Sequence, residues 1–287
     1  MRYRCIDRRR NLYPVREMCR LLKVSRSGYY AWRSRPESAR SKNDRELTGV
    51  IRRMHADSRG TYGSPRITEE LKEEGYRHGH NKVARLMRIA GLRGCPSRRH
   101  KVTTQRDPSH AVAENLLNQN FTAKAANQRW AGDITYLPTR QGWLYLAVVM
   151  DLYSRKIVGW SMSRRISRHL VIDALTMALG QRRPKGDLIH HSDRGSQYTS
   201  DDFREELEMH GIRSSMSGRG NCYDNAVVES FFGLLKRERA NRVYLTHDEA
   251  RADVFDYIEC FYNRKRRHGY LGNISPTAFE EQTQNLH

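Results

Sequence analysis

Apolar positions near the start of the chain recur at helical spacing. Val15, Met18, Cys19, Leu21 and Leu22 follow Tyr13-Pro14, and Lys23-Val24-Ser25 interrupts the run. Ser25 has the side chain of an N-cap and predicts a second helix through Trp32. A second helical group comes next. Asp44 to Ala56 predicts one helix, and Lys82 to Ala90 another. Between them Arg66 to Glu74 predicts a third, because Ile67 and Leu71 lie four apart among Glu69, Glu70, Lys72 and Glu73. Gly60 to Pro65 and Gly75 to His80 are the expected turns, with Asn81 as a cap and Gly91 as a C′ residue.

Periodicity lapses from Gly94 to Asn127, where Pro96, Pro108 and Arg98-Arg99-His100-Lys101 predict a basic linker. The pattern then becomes that of strands. Gln128 to Leu137, Trp143 to Asp151 and Lys156 to Met162 predict a three-strand meander. Beyond them, helices (Ile166 to Gly180, Asp201 to His210, Asp224 to Asn241) alternate with strands (Leu188 to Ser192, Ile212 to Met216). Asp248 to Tyr262 predicts a further helix, and Asn263 to Glu280 a basic tail. The expected class is α/β, a mixed five-stranded sheet flanked by helices and preceded by an all-α region. The expected units are a helical helix-turn-helix segment 1–40, a second helix-turn-helix-like unit 41–95, a linker 96–125 and an α/β core 126–287.

Charge changes the picture. The net charge is +20 over 287 residues. Residues 1–110 hold 28 Lys and Arg against 11 Asp and Glu, whereas residues 111–287 hold 24 against 21. A basic front end suits a phosphate backbone, although a solvated basic surface has the same composition. With that charge, the first helix pair has the layout of a helix-turn-helix reader of double-stranded DNA. Arg26, Arg33, Arg66, Arg85 and Arg88 are the candidate contacts.

The longest apolar run, Leu144 to Met150, falls far short of the roughly 20 residues of a membrane helix. Residues 1–10 carry five arginines and no apolar stretch, so no secretory signal is expected and the location is read as cytoplasmic. The five cysteines are scattered without zinc-finger spacing, so no zinc is expected.

Three acids interrupt otherwise regular elements. Asp133 sits within Trp130 to Tyr136, among strand formers where a carboxylate is unfavourable. Asp193 ends the run Leu188 to Ser192, and strand C-terminal ends are where α/β sheets hold ligands. Glu229 lies on the long helix, where Val227, Val228, Phe231, Leu234 and Leu235 share one face while Asn225, Glu229 and Lys236 share another. Convergent carboxylates are what two-metal phosphoryl transfer requires. Each acid alone also reads as a turn, cap or surface residue. Asp151, ending Val148-Val149-Met150, is of the same local type as Asp133, and the residues alone do not choose between them.

The core resembles the OrfB-type DDE transposases of bacterial insertion sequences, relatives of retroviral integrases with a ribonuclease-H-like core. The resemblance rests on Trp130-Ala131-Gly132-Asp133-Ile134-Thr135-Tyr136, on His191-Ser192-Asp193-Arg194-Gly195-Ser196-Gln197-Tyr198, and on Asp224 to Phe232 followed by Leu235-Lys236. Between Asp193 and Glu229 lie 35 residues, the interval that names the motif. Two further stretches resemble the family's upstream helix-turn-helix and closing segment: Tyr62 to Ile67, and Tyr262-Asn263-Arg264 with Arg267, His268 and Ser275-Pro276.

The resemblance implies Asp133 rather than Asp151, with Asp133, Asp193 and Glu229 as catalytic residues and ligands of two magnesium ions, for which manganese can substitute. It implies water attack at the element's end and then attack of the freed 3′-hydroxyl on a second phosphodiester. His191, Asn225, Lys236, Arg194 and Arg219 become candidates for supporting the acids or contacting DNA phosphate. A homo-oligomer is implied, as is an upstream OrfA-type partner joined by programmed frameshifting. The alternatives are a nuclease that cuts without joining and a DNA-binding regulator with a silent core.

Overall fold

The computed structural model describes residues 2–95, 113–117, 122–218 and 225–284. At the front, α1 (Arg2–Arg9), α2 (Val15–Leu21) and α3 (Arg26–Ser34) enclose a small core of Ile6, Cys19 and Tyr29. Ser25 caps α3 as expected, its Oγ accepting the Gly28 N–H at 2.9 Å. The α1 helix was not expected, because arginines mask its single buried residue, Ile6.

The second helical group is α4 (Ala39–Asp57), α5 (Ser64–Glu73) and α6 (His80–Ile89). Gly79, without a side-chain bond, stands at the start of α6 where Asn81 was expected to cap it. Gly91 adopts φ +72°, the left-handed conformation that ends a helix. Leu47, Ile51, Ile67, Leu71, Val83 and Leu86 bury one face of each helix. Their cluster is continuous with Val228, Phe231, Tyr257 and Phe261 of the α/β core. The helix-turn-helix-like unit is therefore packed on the core rather than hung from it.

The core sheet has strand order β3-β2-β1-β4-β5. β1 (Arg129–Thr139), β2 (Gly142–Asp151) and β3 (Ile157–Ser163) form the antiparallel meander, while β4 (Ile189–Ser192) and β5 (Arg213–Met216) run parallel to β1 and β4 respectively. This is the expected ribonuclease-H-like mixed sheet. One face carries α7 (Arg168–Arg182) and α8 (Asp201–Met209), packed through Val171, Ala174, Leu175, Phe203 and Leu207. The other carries α9 (Ala226–Glu238) and α10 (His247–Phe255), packed through Val228, Phe231, Leu235 and Val254. Gly159 lets α7 approach closely, for a Cβ there would meet the Ala174 carbonyl at 2.1 Å.

The closing segment departs from a basic tail. After α10 a π-helical stretch (Asp256–Tyr262) widens the helix, a 3-10 turn (Gly269–Leu271) follows, and α11 (Pro276–Gln284) ends the described chain. Arg266 and Arg267 turn inward: Arg267 bonds Glu70 at 2.6 Å and Glu73 at 2.7 Å, and Tyr62 Oη receives the Arg267 N–H at 2.7 Å. The four described cysteines, Cys5, Cys19, Cys95 and Cys260, are free thiols. Among the described residues no helix is long and apolar enough to cross a membrane.

Candidate active site

The register of the sheet brings the acids together. β4 pairs with β1 only at Arg129 to Ala131, so at Gly132 and Asp133 β1 runs without a strand partner on that side. Asp193 follows the last residue of β4 directly. The loop after it is drawn back by its own carboxylate, whose Oδ1 accepts the Gly195 N–H at 2.9 Å. Glu229 lies in the first turn of α9 and is exposed. Asn225, at the start of that helix, is buried and donates from Nδ2 to the Gly132 carbonyl at 3.3 Å. That bond ties the beginning of α9 to the strand residue beside Asp133.

Asp133 reports the proximity of the others. Burial first, and then the negative charges of Asp193 and Glu229, push its carboxyl up to about 8, against the pull of the Ile134 N–H and of Lys236. Asp133 and Asp193 also act on Tyr198, whose hydroxyl is held well above its ordinary range chiefly by burial. A buried carboxyl that also feels two further carboxylates marks a site short of positive charge.

Hard oxygen donors of this kind suit magnesium or manganese, and no cysteine stands among them to favour a softer ion. Among the described residues no three acids, histidines or cysteines stand close enough to enclose a metal together. Asp133 and Asp193 are the inner pair, and Glu229 stands toward solvent on a neighbouring element. The donor chemistry fits a hard divalent ion, with Asp133 and Asp193 as the residues that would hold it first.

Asp151, the alternative of like local type, is fully buried elsewhere. Its carboxylate accepts the Asn127 and Tyr153 N–H groups at 2.8 and 2.9 Å and lies 3.8 Å from Arg182. It is a turn-holding acid.

The supporting candidates divide. His191 is buried, its Nδ1 2.9 Å from Ser215 Oγ and its Nε2 3.3 Å from Ser217 Oγ, so it braces β4 against β5 from within. Arg194 donates from Nε to the Ser217 carbonyl at 2.7 Å. Lys236 is half-buried with Nζ 4.6 Å from the Tyr136 ring centre, close enough to Asp133 to feel its charge. Arg219 lies outside the described residues, as does Asp224 of the third motif.

Of the basic candidates at the front, Arg26, Arg33 and Arg88 are exposed. Arg85 is paired with Asp44 at 2.6 Å. Arg66 lies over the Tyr62 ring, 5.4 Å from its centre, and is half-buried.

Sequence reasoning missed the role of Gly132. A Cβ there would lie 2.9 Å from His190 Nε2 and 3.3 Å from the Tyr198 hydroxyl. The bare glycine seats those rings under the acids. Its position directly before Asp133 was the only available signal.

Residues 123–222 and 229–284 match families described as integrase core domain, and residues 42–101 match an HTH-like domain. The chain is 45% identical over 285 residues to "Transposase InsF for insertion sequence IS3A" of Escherichia coli (strain K12), covering 98% of this chain and 99% of that protein. It is 47% identical over 266 residues to "Insertion element IS600 uncharacterized 31 kDa protein" of Shigella sonnei, covering 92% and 98% respectively. Among solved structures, a simian T-cell lymphotropic virus intasome in complex with PP2A regulatory subunit B56 gamma is similar at 16% identity and a TM-score of 0.46, over 80% of this chain and 74% of that one. Identity across nearly the whole length, with integrase-core and HTH-like matches in the expected order, shows that the chain belongs to the IS3 family of insertion-sequence transposases.

Proposed function

We propose that this transposase cuts and joins DNA through Asp133, Asp193 and Glu229, holding two magnesium ions. The observation that carries the proposal is that Asp133, pushed up to about 8 chiefly by burial, also feels the negative charges of Asp193 and Glu229. Bound divalent ions would offset that repulsion and stabilise charge on the attacking and leaving oxygens of phosphoryl transfer.

The remaining residues act on geometry. Asn225 fixes the first turn of α9 against the Gly132 carbonyl and so sets where Glu229 begins. His191 stiffens β4 beneath Asp193 through Ser215 and Ser217. Lys236 offers an ammonium to DNA phosphate next to Asp133. Arg194, tied to the Ser217 carbonyl, keeps its remaining guanidinium donors for a phosphate. Water and then the 3′-hydroxyl act as nucleophiles, so no covalent enzyme intermediate is required.

The front end would hold element ends and target as double-stranded DNA, with Arg26, Arg33 and Arg88 on its open surfaces. A homo-oligomer would bridge two ends, and an upstream OrfA-type partner, fused by frameshifting, would add end recognition. The reading favours a cytoplasmic protein acting at the nucleoid. The influence of Asp193 and Glu229 on Asp133 favours joining chemistry over a silent regulator.

Magnesium titration with proton counting tests the acid reading. At pH 7 a carboxyl near 8 is mostly protonated, so metal entry should release close to one proton. Asp133→Asn should release none. Metal binding without proton release in the parent would contradict the assignment.

A further inference from the structure

Two aromatic side chains stand uncovered next to the acids. Tyr136 and Trp143 are 53% and 51% exposed, and their rings meet edge to face at 5.0 Å between centroids and 82° between planes. Because Tyr136 pairs with Tyr145 and Pro138 with Trp143, the two rings project from one face of the β1–β2 hairpin near its turn. Lys236 completes the group, its Nζ 4.6 Å from the Tyr136 ring centre. Side chains this large normally bury most of their surface. Here an open π-surface lies against a half-buried cation that feels the charge of Asp133.

That combination matches one kind of occupant. A nucleotide offers a flat base to the rings and a phosphate to the ammonium. A wholly apolar protein partner would desolvate Lys236 without pairing it. Side chains alternate along β1, so Asp133 and Tyr136, three positions apart, leave opposite faces of the sheet. Lys236 of α9 links them at the edge of β1 that β4 leaves unpaired beyond Ala131, its ammonium against the Tyr136 ring and near enough to Asp133 to feel its charge.

We propose that Tyr136 and Trp143, with Lys236, form a stacking site for one unpaired base of the strand held at the acids. The site rests on the acid assignment. It adds a positioning role, holding a frayed element end in register. Neither the acid motifs nor the helical front end accounts for these two rings.

A binding cycle tests it. The probe is a duplex copying the element's outer end, frayed over its last nucleotides, with or without a single abasic site stepped through the frayed positions. Affinity is read by fluorescence anisotropy for the parent, Trp143→Ala, Trp143→Phe and Phe255→Ala. The last removes an equally open aromatic that packs on Trp160. The abasic site should weaken the parent roughly 5- to 150-fold, the range of one base–aromatic stack.

Trp143→Ala should lose a similar factor on intact DNA and nothing further on abasic DNA. Trp143→Phe should retain part of the effect, and Phe255→Ala should match the parent. An abasic site costing the parent and Trp143→Ala equally, or costing neither, would overturn the stacking site. Joining by the parent in magnesium is scored in the same preparation. Joining without coupling sinks the stacking site alone, whereas joining in EDTA or by Glu229→Gln sinks the acid reading.

Discussion

Glu238 and Arg266 face each other through two hydrogen bonds, at 2.8 and 2.6 Å, with both side chains only 2% exposed. Tyr257 adds its hydroxyl to the same carboxylate at 2.9 Å. Glu238 ends the helix that carries Glu229, so the pair pins that helix to the closing segment. Burial alone would lower the Arg266 guanidinium, but Glu238 reverses the direction and holds it charged. Removing one partner leaves a buried charge without compensation. Glu238→Ala should therefore cost about 3–5 kcal/mol in urea unfolding. Glu238→Leu with Arg266→Met should recover most of that loss, and a single-variant cost below about 1 kcal/mol would refute the role.

Arg267 makes a second tie, from the closing segment to Glu70 and Glu73 of α5. In a DNA-binding protein an arginine in a basic tail invites reading as a phosphate contact, but this one is occupied by carboxylates. Arg267→Gln should lower the melting temperature and leave the salt dependence of DNA binding unchanged. Arg88→Gln, at an exposed position of α6, should reduce the slope of log K against log salt by about 0.9. The reverse pattern would assign Arg267 to DNA.

Gly159 is where β3 and α7 come closest. Its Cβ would lie 2.1 Å from the Ala174 carbonyl and 2.7 Å from the Ala178 nitrogen, both backbone atoms that cannot swing aside. Gly159→Ala should destabilise by more than about 2 kcal/mol by denaturant unfolding. Gly180→Ala, whose Cβ would meet nothing within 4 Å, should be neutral or slightly stabilising.

Two buried histidines set an acid limit. Burial lowers both His190 and His268 to about 3, with His191 adding to the effect at the first and Arg266 and Arg66 at the second. The unfolded chain binds these protons near 6.5 and the folded chain only near 3. Their stabilising contribution is thus complete above about 6.5 and is lost as pH falls toward 3. His190 has no hydrogen-bond partner at either ring nitrogen among the described residues and packs on Phe203 at 5.4 Å. His190→Leu should flatten the fall in melting temperature across that window without lowering stability at pH 7. An unchanged slope would show that the histidine titrates elsewhere.

Much of this arrangement is legible in the residues because local and tertiary signals agree. Ser25 caps a helix with its own side chain, and the β1–β3 meander alternates around its turns. The inward turn of Arg266 and Arg267 was not legible, because a sequence records charge but not the distant Glu238, Glu70 and Glu73 that neutralise it. The first helix was hidden by its arginines for a similar reason. Within the site, the motifs marked three acids, yet strand propensity treated Asp151 and Asp133 alike. Their difference is tertiary: Asp151 meets backbone N–H groups and Arg182, whereas Asp133 meets other carboxylates.

Strand transfer with purified protein and labelled element-end DNA, in magnesium and in EDTA, tests the acid assignment most directly when the parent is run beside Glu229→Gln. The account predicts joined product in the parent with magnesium only, and loss of at least about a hundred-fold in Glu229→Gln with DNA binding retained. Undiminished joining by Glu229→Gln, or joining by the parent in EDTA, would contradict it.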